Sequence, residues 1–219
     1  MKKGKTYIAV VLDRSGSMSS IKADTIGGFN TFLKDQKAQP GEATITLAQF
    51  DDKYDIVYND INIHAAAELN DSTFVPRGMT ALYDAVCRTI DTVGSDLHSL
   101  KESDKPEKVI FVIITDGGEN SSQEFKNIEA VKSRIKEQTE KYNWQFVFLA
   151  ANQDAMEVGA SMNIARGSSM TYSASPEAVQ HVFLGMSKKM SAYRGGLESN
   201  MSYTDLERKE QEEVNKKGK

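Results

Sequence analysis

The chain is poor in the residues that staple or stiffen small folds. A single cysteine, Cys87, stands among 219 residues, so neither an internal disulfide nor a thiolate metal site can be built, and cohesion must come from packing. That pattern suits a reducing compartment, and the expectation is a cytoplasmic protein. The three histidines, His64, His98 and His181, are far apart, and no two share metal or triad spacing. Four prolines are too few for a collagen or a mucin-like stalk. No window approaches the roughly 18 consecutive apolar residues of a membrane span. Met1, Lys2 and Lys3 look like the start of a signal segment, but the apolar stretch that follows, 7–12, is short and runs into Asp13 and Arg14. Excess charge is lacking too: 27 Lys+Arg against 31 Asp+Glu leave a net −4. With no long basic run, neither nucleic acid nor an anionic bilayer is a partner on charge grounds.

What is present is ordinary globular material, 39% hydrophobic and 26% charged, which excludes wholesale disorder and permits one generous domain. Three runs are apolar nearly throughout: 7–12 (YIAVVL), 109–114 (VIFVII) and 146–150 (FVFLA). Strands covered by helices on both faces read this way. Between them lie stretches with helical apolar spacing at 20–37, 81–100 and 123–142. Segments 43–50 and 54–58 are separated only by Asp51, Asp52 and Lys53, too tight a link for a crossover helix, so they form an antiparallel hairpin whose second strand lies at the edge. Ser175-Pro176-Glu177 opens a last helix to about residue 193. The expected fold is therefore α/β, a doubly wound, Rossmann-like three-layer sandwich with a mostly parallel sheet and one antiparallel edge strand. The domain spans 1–193. Residues 194–219 form a charged C-terminal tail, helical or disordered, since ten of its last fifteen residues are charged.

Ligands of an open α/β sheet bind in the crevice at the carboxyl ends of its strands. The first buried strand ends in Asp13-Arg14-Ser15-Gly16-Ser17, and the 109–114 strand ends in Thr115-Asp116-Gly117-Gly118-Glu119-Asn120. Thr80 lies where the loop 76–80 meets the second long helix. Spacing by two can turn the Asp13, Ser15 and Ser17 oxygens to one side, with Gly16 relaxing the backbone between them. Asp13, Ser15, Ser17, Thr80 and Asp116 then make an all-oxygen set from three loops, which selects a hard cation. Two carboxylates only neutralise a divalent ion, and so few anionic ligands suit Mg²⁺ or Mn²⁺ better than Ca²⁺. A position stays open, and the first helix's N-terminus favours an incoming carboxylate there.

These three segments, DRSGS, GMTALYDA and ITDGGEN, resemble the metal-ion-dependent adhesion site of von Willebrand factor A domains. The resemblance covers roughly residues 5–190. It implies a bound divalent cation and metal-mediated recognition of a protein, with Ser15, Ser17 and Thr80 ligating the metal and Asp13 and Asp116 acting through bridging waters. Gly78-Met79-Thr80 replaces the more usual Gly-Gly-Thr or Gly-Thr-Thr. Without cysteine pairs the chain looks like the stand-alone intracellular members of prokaryotes and their viruses.

The function expected is thus a non-enzymatic, metal-dependent module that accepts an Asp or Glu carboxylate of a partner protein. Arg14, Met18, Met79, Gly117, Glu119 and Asn120 are the expected partner-binding rim. Two alternatives stand beside it: a Mg²⁺-dependent phosphohydrolase using Asp13 as nucleophile, and a scaffold whose metal is purely structural. Against the enzyme, Ser15 stands where the haloacid-dehalogenase pattern has an aspartate, and no Walker sequence is present. Asp51 and Asp84 read as hairpin-turn and helix-surface residues, and Asn152-Gln153-Asp154 as further rim.

Overall fold

A computed structural model describes residues 1–217; Gly218 and Lys219, the end of the expected tail, lie outside the described residues. Six strands, β1 (Lys2–Asp13), β2 (Ala43–Phe50), β3 (Tyr54–Asn62), β4 (Pro106–Thr115), β5 (Gln145–Ala151) and β6 (Ser169–Tyr172), form one sheet in the order β3-β2-β1-β4-β5-β6. All neighbours are parallel except β2 and β3, the hairpin. The α/β sandwich with one antiparallel edge strand is therefore the architecture of the chain.

Helices α1 (Lys22–Lys37), α2 (Leu82–Ser99), α3 (Ile128–Tyr142), α4 (Ala155–Ser161), α5 (Pro176–Arg194) and α6 (Asp205–Lys217) surround the sheet. Alternation along β1 explains the layers. Ile8, Val10 and Leu12 pack with Phe29, Phe32 and Leu33 of α1 and Val179, Val182 and Phe183 of α5. Tyr7, Ala9 and Val11 face α2 and α3 through Val86, Ile90, Val131 and Ile135. All of these side chains are buried. Thus α1, which follows β1, and α3, which follows β4, lie on opposite faces. The loops after β1 and β4 diverge at this switch point and leave a crevice between them. No helix among the described residues is long and apolar enough to cross a membrane.

Residues 194–217 are anchored at a few points, while 195–200 and most of α6 face solvent. Met201 and Tyr203 are buried in the same cluster as α5. Helix α6 is fastened by polar side chains: Arg208 donates to the carbonyls of Arg166, Gly167 and Ser169, and Asn215 bonds the Thr171 carbonyl and the Ser173 amide. The Ser169 and Thr171 carbonyls, on the outer flank of β6, thus find their partners on α6. Lys189, buried on α5, pairs with Glu198 and Glu207 and ties down the intervening turn.

Candidate metal centre

Register carries the first two segments together. Leu12 pairs with Ile114 across β1 and β4, so Asp13 and Thr115 end adjacent strands side by side. The Asp13 carboxylate is fully buried; one oxygen accepts the Ser15 amide at 2.6 Å and the other accepts the Thr115 hydroxyl at 2.6 Å. After Ser15 the chain coils into a 3-10 turn, Gly16–Ile21, that runs into α1. The Ser17 side chain does not cap this turn. Instead its hydroxyl donates to Asp116 Oδ1 at 2.6 Å and lies 3.1 Å from Ser15 Oγ.

Thr80 reaches the same space from the loop before α2. A methyl group built on Gly117 would lie 3.5 Å from Thr80 Oγ1 and 3.8 Å from Ser17 Oγ, so threonine, serine and the aspartate loop border one small gap. The structure therefore brings Asp13, Ser15, Ser17, Thr80 and Asp116 together at the carboxyl edge of the sheet. Burial pushes the Asp13 carboxyl up to about 6 against the hydrogen bonds from Thr115 and Ser15, with Asp116 adding repulsion. Burial also raises Asp116, opposed by its bond from Ser17.

The donor set fits a small divalent cation. Among the described residues neither aspartate forms an ion pair, and an isolated buried carboxylate is costly unless a positive charge offsets it. Oxygens at right angles on an ion with bonds of about 2.1 Å lie ~3.0 Å apart, close to the 3.1 Å between the two serine oxygens.

Three expected rim residues are used elsewhere. Arg14 is buried, not presented: its Nε donates to Asp51 at 2.9 Å and its Nη2 to Asp55. Met18, in the 3-10 turn, is fully buried in the α1-side core. Glu119 is an internal fastener. Its carboxylate accepts the Tyr83, Ser121 and Ser122 amides and the Ser122 hydroxyl, satisfying a free amide of α2's first turn. Met79, 53% exposed, and Asn120 do lie at the surface, with Gly117 partly exposed. Asn120 also has a second task, since its side-chain oxygen accepts the Thr80 amide at 2.8 Å while its own amide donates to the Thr80 carbonyl.

Several residues gain roles that single-residue reading missed. Thr115 orients Asp13 through its hydroxyl. Asp84 is buried, and its carboxylate accepts the amides of Gln123, Glu124 and Phe125. Together with Glu119 it locks the threonine and aspartate segments reciprocally. The signal was available in part: an Asp four residues after Thr80, in the first turn of α2, is placed to bind amides. Gln153 donates to the Gly117 carbonyl at 3.1 Å, and Asp154 caps α4.

No family model matches the chain, and no match was found among curated protein sequences. Solved structures do resemble it. A von Willebrand factor type A protein from Catenulispora acidiphila superposes with a TM-score of 0.58 at 12% identity, over 86% of this chain and 43% of that one. This chain has the von Willebrand factor A fold. The same fold relates it to the pilus adhesin SpaC of Lactobacillus rhamnosus GG in its open conformation (TM-score 0.61, 12% identity, 88% of this chain and 30% of that one). It also relates it to proximal thread matrix protein 1 of the mussel byssus, in a structure described as having a zinc-occupied MIDAS motif (TM-score 0.55, 15% identity, 86% and 46%). The chain spans less than half the length of each of these structures.

Proposed function

We propose that this A-domain is a non-enzymatic, metal-dependent protein-binding module. Asp13, Ser15, Ser17, Thr80 and Asp116 hold the cation, Mg²⁺ or Mn²⁺ before Ca²⁺, and the partner contributes an Asp or Glu carboxylate. The observation that carries the reading is the meeting of a fully buried carboxylate, Asp13, a half-buried one, Asp116, and three hydroxyls with no basic side chain among them. When bound, a divalent cation would supply the missing positive charge and an open position for one more oxygen.

The chain's own residues divide the work. Ser15, Ser17 and Thr80 present neutral oxygens, so the site keeps an appetite for one further anionic ligand. Asp13 and Asp116 balance charge and position the serines, Asp13 by accepting the Ser15 amide and Asp116 by accepting the Ser17 hydroxyl. Met79, exposed beside Thr80, offers an apolar contact next to the incoming carboxylate. A nucleophilic Asp13 finds no support, because both of its oxygens are engaged and the group has no exposed surface. The proposal includes a cytoplasmic setting, supported by the lone Cys87, which has no partner for an internal disulfide.

Isothermal titration of Mg²⁺, Mn²⁺ and Ca²⁺ into EDTA-stripped protein tests the centre. Saturable binding to wild type that disappears in Asp13→Ala and Ser15→Ala is expected. A peptide-display selection eluted with EDTA then tests recognition: enriched peptides should share an acidic residue whose replacement by Asn or Gln abolishes binding. Absence of metal binding, or equal binding by Asp13→Ala, would refute the reading.

A further inference from the structure

One charged cluster lies outside the cation-binding set yet touches two of the three segments that build it. Asp51 follows β2 and has no exposed surface. Its Oδ2 accepts Arg14 Nε at 2.9 Å and Arg77 Nε at 2.8 Å. Arg14 sits between Asp13 and Ser15; Arg77 lies three residues before Thr80. Oδ1 accepts the Lys53 amide at 2.6 Å, which closes the hairpin turn. The backbone repeats the pattern. Arg14 donates its amide to the Phe50 carbonyl, Arg77 to the Arg14 carbonyl, Gly16 to the Gly78 carbonyl, and Ala81 to the carbonyl of Asp51 itself.

Gly78 completes the junction. It has φ +67, a conformation that favours glycine, and a Cβ there would overlap Asp52. Glycine's backbone freedom thus suits the loop to its close approach to the hairpin. Burial alone would raise the Asp51 carboxyl, but hydrogen bonds from Arg77, the Lys53 amide and Arg14 outweigh it and hold the group below its usual range. Asp51 is thus a permanent anion to which both arginines are drawn. Both guanidinium groups thus spend their Nε donors on the same carboxylate oxygen.

Resting on the proposed function of the gap, we infer that Asp51 is a positioning residue of the metal centre: it clamps the Asp13–Ser17 segment and the Thr80 loop into one register through Arg14 and Arg77. The β2–β3 hairpin then belongs to the site without supplying a ligand to it. Groups that orient the ligands of a metal typically change its affinity by ~10–100-fold when removed.

The test uses the full chain in three variants. Asp51→Asn removes the charge at constant shape. Arg77→Gln cuts one arm at a side chain half exposed to solvent, so folding survives. Asp91→Asn breaks the Arg134 pair between α2 and α3, away from the gap, as a control for stability alone. Mn²⁺ binding followed by electron paramagnetic resonance should weaken roughly tenfold or more in Asp51→Asn, by less in Arg77→Gln, and not in Asp91→Asn.

Hydrogen exchange on the metal-free proteins gives a second readout. Protection of the Gly16 and Arg77 amides, which bridge the two segments, should fall roughly tenfold in both clamp variants while core amides of β4 are unchanged. If folded Asp51→Asn and Arg77→Gln keep wild-type Mn²⁺ affinity, the inference is overturned; should Asp51→Asn fail to fold, Arg77→Gln decides. If wild type binds no Mn²⁺, the proposed function fails instead. The exchange data then decide the clamp: loss of protection at those two amides supports it, and unchanged protection overturns it.

Discussion

Replacing Asp13 by asparagine should make the metal-free protein more stable, although the residue lies at the centre of the site. The carboxyl is raised from 3.8 to about 6, chiefly by burial. A pKa unit is worth ~1.4 kcal/mol, so holding this group ionised costs the fold about 3 kcal/mol at neutral pH. Because the folded value is the higher one, that cost is complete above pH 6, fades as pH falls through the window from 6 to 4, and is gone below it. Asparagine carries no charge and fits the same bonds: its oxygen takes the Ser15 amide, and its NH₂ donates to Thr115 Oγ1. The Thr115 hydroxyl then turns to the Gly117 carbonyl at 2.9 Å.

For a chain of this size, about 3 kcal/mol corresponds to roughly 6–12 °C in Tm. Urea melts followed by the single, buried Trp144 in EDTA at pH 7.5 should show Asp13→Asn ahead of wild type, and the gap should close at pH 4. Adding metal at a thousand times its Kd contributes about 4 kcal/mol to the protein that binds it. In Mg²⁺ the order should therefore reverse. An Asp13→Asn protein less stable than wild type in EDTA, or equal gains from Mg²⁺ in both, would refute the reasoning.

Other outcomes follow from the same geometry. Asp84→Ala orphans three backbone amides at 123–125 and should lower stability by ~1–3 kcal/mol in denaturant melts. Truncation after Arg194 removes Met201 and Tyr203 from the core, each worth about 2 kcal/mol, and bares β6; the melt should shift down and the protein should bind a hydrophobic dye. Cys87 has no exposed surface, and burial pushes its thiol up to about 12. Ellman's reagent should therefore react only at the rate of unfolding, measured against urea.

The layered fold was legible because buried parallel strands leave continuous apolar runs. Residues 43–50 coincide with β2, and the spacing of 51–53 foretold the hairpin. Elements that carry no such signature escaped. β6 has four residues, SMTY, and α4 seven, too short for periodicity to accumulate. That the charged helix after 194 docks on the domain was not legible, because α6 is fastened by Arg208, Gln211 and Asn215, polar side chains whose partners are backbone groups far away in sequence. Four of the candidate ligands were legible as a spacing pattern at strand ends, and Thr80 as a hydroxyl at a loop-to-helix junction. Arg14, Met18 and Glu119 were misplaced for one reason: a charge or a methionine beside a site reads as exposed, whereas its direction depends on a turn type and on partners, Asp51 and the α2 amides, that only the fold brings near.

The masking of β6 has a consequence for self-association. An open sheet with both flanks bare can recruit a copy of itself at either end and grow into a fibre. Here Asn215 and Arg208 occupy one flank, and among the described residues β3 pairs with β2 alone. Any strand-to-strand joining of two molecules through β3 consumes the bare flank of each, so it terminates as a pair and cannot propagate.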